Sequence, residues 1–283
     1  MLKTRILTAA VLASAILAAL FLLPSRIWAL TMLTVMAVAA YEWSALVGFR
    51  SRLRALFVGA TLLIGLSLLF AEAAHFDRGW PDGIVLAVCG VAALFWILVA
   101  PFWIAGRWRT QSGVPMAIVG WIVLIGTWVA LVELQARSPW LVLASMAIVW
   151  IADTAAYFFG RAFGRHKLAP SISPGKTWEG VYGAWFAVAL YAFALVPLAS
   201  DAGLRGSVDA VSIGLWVALA LLLASISVLG DLFESLLKRN AGVKDSGSIL
   251  PGHGGVLDRI DALLAAMPLA ALTAHLLLTK PAA

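Results

Sequence analysis

Charge is the scarcest ingredient of this 283-residue chain. Asp, Glu, Lys and Arg make up 12% of it, about half the share usual in soluble domains. A soluble protein of this size needs a charged exterior, so a water-soluble fold is excluded. Cysteine is nearly missing too: Cys89 stands alone, which excludes an intrachain disulfide and a secreted, disulfide-framed module. No internal repeat and no low-complexity tract is present. What fills the space is apolar. Hydrophobic residues reach 63% with 13 Trp and 13 Phe, a composition that also excludes intrinsic disorder. The chain is an integral membrane protein. Its net charge of +6 is then better explained by basic cytoplasmic loops than by nucleic-acid binding.

A helix needs about 20 mostly apolar residues to cross a bilayer. Nine stretches qualify: 6–23, 27–47, 55–74, 84–105, 116–135, 140–159, 180–199, 211–230 and 262–279. The first resembles a signal peptide, but it runs to Leu23 without a cleavage site and reads as a retained helix. The expected fold is therefore all-α and polytopic, with about nine spans in a single membrane domain, 1–283. With the N-terminus cytoplasmic, the alternating loops place 15 basic residues inside. Five fall outside: Arg26, Arg78, Arg137, Arg205 and Lys280. The positive-inside rule favours that orientation.

Two of the expected cytoplasmic segments differ from the rest. Residues 160–179 carry five charges and 231–261 carry nine, of 34 in the chain, with both signs interleaved. An orientation anchor needs only one sign. In the second segment, Asp258 and Asp261 are three apart and share a helix face, and Asp231 closes the preceding span. Carboxylates from two helices suit Mg²⁺. Lys238, Arg239, Lys244 and Arg259 supply cations for phosphates. Gly252, Gly254 and Gly255 permit close backbone approach, and the helix start after them offers free N–H groups to an anion. Taken singly, each residue has a plainer role, Asp258 as a helix cap and Lys238 with Arg239 as membrane anchors. Together they describe a phosphoryl or nucleotidyl transfer site.

The block Ser235, Lys238, Arg239, Lys244, Asp245, Pro251, His253, Gly254, Gly255, Asp258, Arg259 and Asp261 resembles, at every specified position, the signature of the phosphatidate cytidylyltransferases (CDP-diacylglycerol synthases). The likeness extends upstream through Gly230-Asp231, 171–180, Gly160-Arg161 and 153–157. It thus covers the half from 141 to 283, while 1–140 resembles the family only in being hydrophobic. The resemblance implies an enzyme of phospholipid synthesis that makes CDP-diacylglycerol and pyrophosphate from CTP and phosphatidate. It implies Mg²⁺, leaves room for a second, monovalent cation, and points to a homodimer in the cell (inner) membrane with its site facing the cytoplasm. By position it makes Asp231 and Asp258 metal ligands, with Asp245 and Asp261 in support. Lys244, Arg259 and His253 join Asp258 in catalysis, His253 either as proton shuttle or as positioning group. Ser173, Lys176, Ser235, Lys238, Arg239, Gly254, Gly255 and Asp153 are assigned to substrate.

Gly175-Lys176-Thr177 resembles a P-loop ending, but Pro170 occupies the place of its first glycine and the flanks are spans. Ser173 is instead expected to cap the next helix, with Pro174 in its first turn and Lys176 aimed at a CTP phosphate. Asp153 lies inside a span, a functional position by default. Glu42 is also intramembrane but has no motif around it, so a buried hydrogen bond or an interface is expected of it rather than catalysis. Many Trp residues are expected in interfacial belts, and His75 and His275 receive no role. Two other readings compete. A polyprenol kinase would move the γ-phosphate of CTP. A transporter would put its charges near the midplane and pair two halves by a repeat; neither feature is seen. A CDP-alcohol phosphotransferase core is absent, since Asp82-Gly83 continues into Ile-Val-Leu-Ala.

Overall fold

The computed structural model describes residues 2–72, 79–109, 113–196 and 210–278. Arg78, Arg205, Lys280 and His75 lie outside these residues, as do the side chains of Lys3 and Arg5. Helices follow one another as α1 (Leu2–Leu22), α2 (Ser25–Leu46), α3 (Ser51–Ala71), α4 (Asp82–Gly106), α5 (Val114–Arg137) and α6 (Pro139–Phe163). A hairpin of β1 (Lys167–Ala169) and β2 (Ser173–Thr177) intervenes before α7 (Trp178–Ala194), α8 (Ala210–Ala241) and α9 (Leu257–Leu277). The protein is an all-α polytopic membrane protein. Among the described residues seven helices, α2 to α6, α8 and α9, are long and apolar enough to cross a bilayer; α7, with 17 residues, is shorter.

Local chemistry sets the boundaries. Pro115 and Pro139 lie at the starts of α5 and α6, where a missing N–H costs nothing. Ser138 caps α6 by accepting from the Trp140 N–H at 3.3 Å. The helix runs past the expected end of the eighth span at 230: α8 continues to Ala241. Polarity ends the apolar run there but not the helix. Asp231, Ser235 and Lys238 recur at helical spacing and so occupy one face.

The centre of the bundle is α2, α5 and α9, whose buried shares are the highest of the spanning helices. α9 contains Pro268, which leaves the Leu264 carbonyl without its helical donor. The Thr127 hydroxyl on α5 lies 3.1 Å from Leu264 O and 2.8 Å from Val123 O, so its one proton is shared between the two carbonyls, the kind of repair lipid demands. Tryptophan serves the same interior. The indole N–H of Trp128 donates to Ala29 O at 2.9 Å, and that of Trp28 to Leu131 O at 3.2 Å, tying α2 and α5 reciprocally. Trp28, Trp43, Trp80, Trp96 and Trp128 are fully buried. The belt expectation therefore fails for these five, because the ring fills helix contacts and a carbonyl on a neighbouring element satisfies the N–H of four of them. Trp108, Trp140, Trp150, Trp178 and Trp185 are exposed, as a belt requires.

Phe233 is the aromatic hub below the polar segment. Its ring meets those of Trp43, Phe95, Trp96 and Trp103 from α2 and α4 at centroid distances of 5.5–6.3 Å, and it is buried. Phe233→Ala should cost about 3–5 kcal/mol, read as a lowered unfolding temperature in detergent, with Phe233→Leu losing clearly less. Equal losses for both would show that ring packing is not the cause.

Candidate active site

The polar residues of α8 and α9 converge because the two helices cross closely. A Cβ on Gly230 would lie 2.5 Å from the Asp261 carbonyl oxygen, so only glycine admits this approach. The crossing brings Asp231 and Asp261 within range of each other's charge. From the hairpin, Lys176 reaches Asp231 Oδ2 at 2.8 Å, and Ser235 donates to Asp231 Oδ1 at 3.2 Å. One turn further along α8, Lys238 pairs with both Glu234 and Asp258, meeting Asp258 Oδ1 at 2.7 Å. Asp153, accessible on α6, lies within reach of the charges of Lys176 and Asp231. Acids and bases thus alternate across α6, the hairpin, α8 and α9.

Asp258 is the most constrained member. Its Oδ2 accepts from the backbone N–H groups of Ser246 and Gly255 at 2.8 and 2.9 Å, and its third neighbour is the Ser246 hydroxyl at 2.9 Å. Gly254 adopts φ +83°, and a Cβ there would meet Asp258 Oδ2 at 2.8 Å. Its conformation and its emptiness both call for glycine.

Three expectations need correction or refinement. Ser173 does not cap the following helix. It lies in β2 opposite Ala169, and Thr177 caps α7, accepting from the Gly180 N–H at 3.2 Å. The run Ser173–Thr177 prefers extended pairing with Lys167–Ala169, and the hairpin rather than a helix start presents Lys176. Nor is the start of α9 open to an anion. The N–H groups of Val256 and Leu257 donate to Glu42 at 3.0 and 2.7 Å, and that of Gly255 donates to Asp258. A carboxylate of the protein already holds the position. Finally, Arg239 turns from the acids and donates to Ile172 O at 3.2 Å, bracing the hairpin turn.

Lys244, Asp245 and Arg259 are exposed around this cluster, and Lys244 and Arg259 have no ion-pair partner among the described residues. His253 is half-buried, with a buried Nδ1 that finds no hydrogen-bond partner. An open hollow lined by Arg165, His166, Lys167, Trp178 and Tyr182 contains none of the clustered acids.

A match to the cytidylyltransferase family spans residues 3–277. The chain belongs to that family. Relatives named phosphatidate cytidylyltransferase cover it nearly end to end. One from Pseudomonas aeruginosa is 38% identical over 280 residues, 95% of either chain. One from Haemophilus influenzae is 36% identical over 287 residues, 95% of this chain and 96% of its own. A third, from Brucella suis, is 38% identical over 232 residues, 81% of this chain and 77% of its own. The family therefore includes the first 140 residues, for which composition alone offered no more than hydrophobic spans.

Family membership gives the cluster its chemical setting, a nucleotidyl transfer between two phosphate-bearing partners. The donor set suits a hard divalent cation in kind, being carboxylate oxygens with cations and hydroxyls beside them. It is not a finished cage. Among the described residues no three His, Cys, Asp or Glu side chains are grouped to hold a metal alone. A pair of carboxylates suits Mg²⁺, which keeps several waters and takes remaining oxygens from substrate phosphates. Two participants were given no role from the sequence, and a third was foreseen without its partners. Glu234 is buried among Lys238, Asp258 and Asp261. Ser246 is a direct partner of Asp258. Glu42, expected to make a buried hydrogen bond, does so against the signature itself; its one visible signal was an acid inside an apolar span.

Proposed function

We propose that the protein transfers the cytidylyl group of CTP to phosphatidate, yielding CDP-diacylglycerol and pyrophosphate. The observation that carries this reading is the complete signature at 235–261 in a chain aligned over 95% with relatives of that name. A phosphatidate oxygen attacks the α-phosphorus of CTP. The bond to the β-phosphate bridging oxygen breaks, and pyrophosphate leaves with its electron pair. No protein nucleophile is required, so positioning and charge compensation supply the catalysis.

The lysines are placed for that work. Lys176 and Lys238 balance Asp231, Glu234 and Asp258 at 2.5–2.8 Å, and each can exchange a carboxylate for a phosphate oxygen as substrate arrives. Lys244 and Arg259 stand exposed for the outer phosphates. Asp231 and Asp258 would hold Mg²⁺, with Asp261 and Asp245 in support, and the ion would supply charge to neutralise the triphosphate. Asp153 lines the polar space beside Lys176. Ser173 contributes through β2, Ser235 orients Asp231, and His253 positions substrate or moves a proton. The orientation that fits is nine spans with a cytoplasmic N-terminus, in the cell membrane and as a homodimer. CTP then enters from water and phosphatidate from lipid.

The test is release of pyrophosphate from α-labelled CTP by detergent-purified protein, dependent on phosphatidate and Mg²⁺, with label appearing in lipid. Formation of CDP with unlabelled lipid would instead identify a lipid kinase. Phosphate-lipid binding without turnover of CTP would favour a transporter.

A further inference from the structure

We infer that Glu42 is a positioning residue for this reaction, holding from α2 the frame in which Asp258 is presented. The inference rests on the activity proposed above. Glu42 is 2% exposed, and both of its oxygens are engaged with the signature segment more than 200 residues away. Oε1 accepts from Val256 N–H at 3.0 Å and Oε2 from Leu257 N–H at 2.7 Å. Ser246 Oγ lies 3.2 Å from Glu42 Oε2 and 2.9 Å from Asp258 Oδ2. That hydroxyl has one proton for two carboxylates, so it links the buried acid to the acid of the site.

The signature is shaped to receive Glu42. A Cβ on Gly255 would collide with Ser246 Oγ and lie 2.6 Å from Glu42 Oε2, and one on Gly247 would collide with Oε1. Neither glycine has a positive φ. Space for the Glu42 carboxylate, and at Gly255 also for the Ser246 hydroxyl beside it, rather than backbone freedom, accounts for both. The negative charge also sits on the positive end of α9, the helix that carries Asp258 in its first turn. Among the described residues Glu42 makes no hydrogen bond or ion pair with a lysine. Its influence passes through Ser246 and the helix start, which is how supporting residues tune the groups that bind metal and phosphate.

Glu42→Gln in the full-length protein tests this. Gln keeps the size of Glu but turns one acceptor into a donor, which must then face Val256 N–H, or Leu257 N–H and the Ser246 hydroxyl. The expected result is a kcat for pyrophosphate release lowered about 10–100-fold, with KM for CTP within about threefold and a raised Mg²⁺ requirement. Amide exchange across 254–262, measured without substrates, should accelerate. Ser246→Ala should share the kcat loss, and the double variant should fall short of the product of the two effects. Unchanged kcat, a rise in KM alone, unaltered exchange or full additivity would each overturn the inference. Should Glu42→Gln not fold, Gly255→Ala presses on the same carboxylate from the other side, and wild-type kcat there overturns it equally. If the wild-type protein releases no pyrophosphate, the functional reading fails, while amide exchange still reports on the Glu42 clamp.

Discussion

Asp258→Asn is expected to lower pyrophosphate release by about a hundred- to a thousandfold at saturating CTP and phosphatidate, the scale on which removing one preorganised charged contact acts. Two consequences combine. The substitution removes the charge that Lys238 faces at 2.7 Å, which leaves Lys238 bound to Glu234 alone. It also sets an amide where one oxygen was. With the NH2 towards Ser246 and Gly255, two backbone donors face a third. With the NH2 towards Lys238, a cation faces a donor. Neither rotamer is satisfied, so a stability loss of about 1–3 kcal/mol accompanies the lost activity. The measurement must therefore normalise rate to folded protein by size-exclusion and thermal unfolding. Activity above a tenth of wild type in folded Asp258→Asn would remove Asp258 from the reaction centre. Asp245→Asn is the informative comparison. Asp245 is exposed beside Gly254 and satisfies no buried donor among the described residues, so its loss should act on rate without a stability cost.

How much of this was legible depended on the range of each interaction. The signature could be read because its chemistry is local: Asp258 and Asp261 share a helix face whatever surrounds them, and Lys238 follows Glu234 by one turn. Helix existence was likewise plain from apolar length. Boundaries were not. The eighth span was expected over 211–230, and nothing in its apolar run showed that the helix continues to Ala241. Ser173-Pro174 imitates a helix start, and only the pairing with Lys167–Ala169 reveals a strand. The role of Glu42 was beyond reach. Its isolation in an apolar helix marked it as a buried hydrogen-bonding residue, but its partners lie 204–215 residues away. Apolar context can signal that an acid needs partners; it cannot name them. The five buried tryptophans could not be told from the exposed ones for a related reason, since a ring that anchors at the interface and one that bridges two helices leave the same trace in composition.

The other end of α9 tests whether stability and chemistry are separable in this bundle. There Glu133, fully buried near the end of α5, meets Arg137 Nε at 2.7 Å and accepts from Trp80 N–H at 2.8 Å. Arg137 in turn donates to Leu278 O at 3.1 Å and lies 2.9 Å from His275 Nδ1. The ion pair therefore ties α5, the entry to α4 and the C-terminus of α9. His275, given no role from sequence, belongs to this clamp. Glu133→Ala takes from the buried guanidinium the carboxylate it meets at 2.7 Å and from Trp80 N–H the oxygen it meets at 2.8 Å. Breaking a buried pair on one side costs about 3–5 kcal/mol, so the unfolding temperature should fall on the order of 10 °C. The double variant Glu133→Ala/Arg137→Met should recover much of that loss, because the uncompensated charge departs along with its partner. His275 and Asp258 stand 17 residues apart on α9, roughly 25 Å along the axis. Rate per folded molecule should accordingly stay near wild type in both variants. A kcat loss in Glu133→Ala that the double variant does not relieve would show instead that α9 transmits the state of its far end to Asp258.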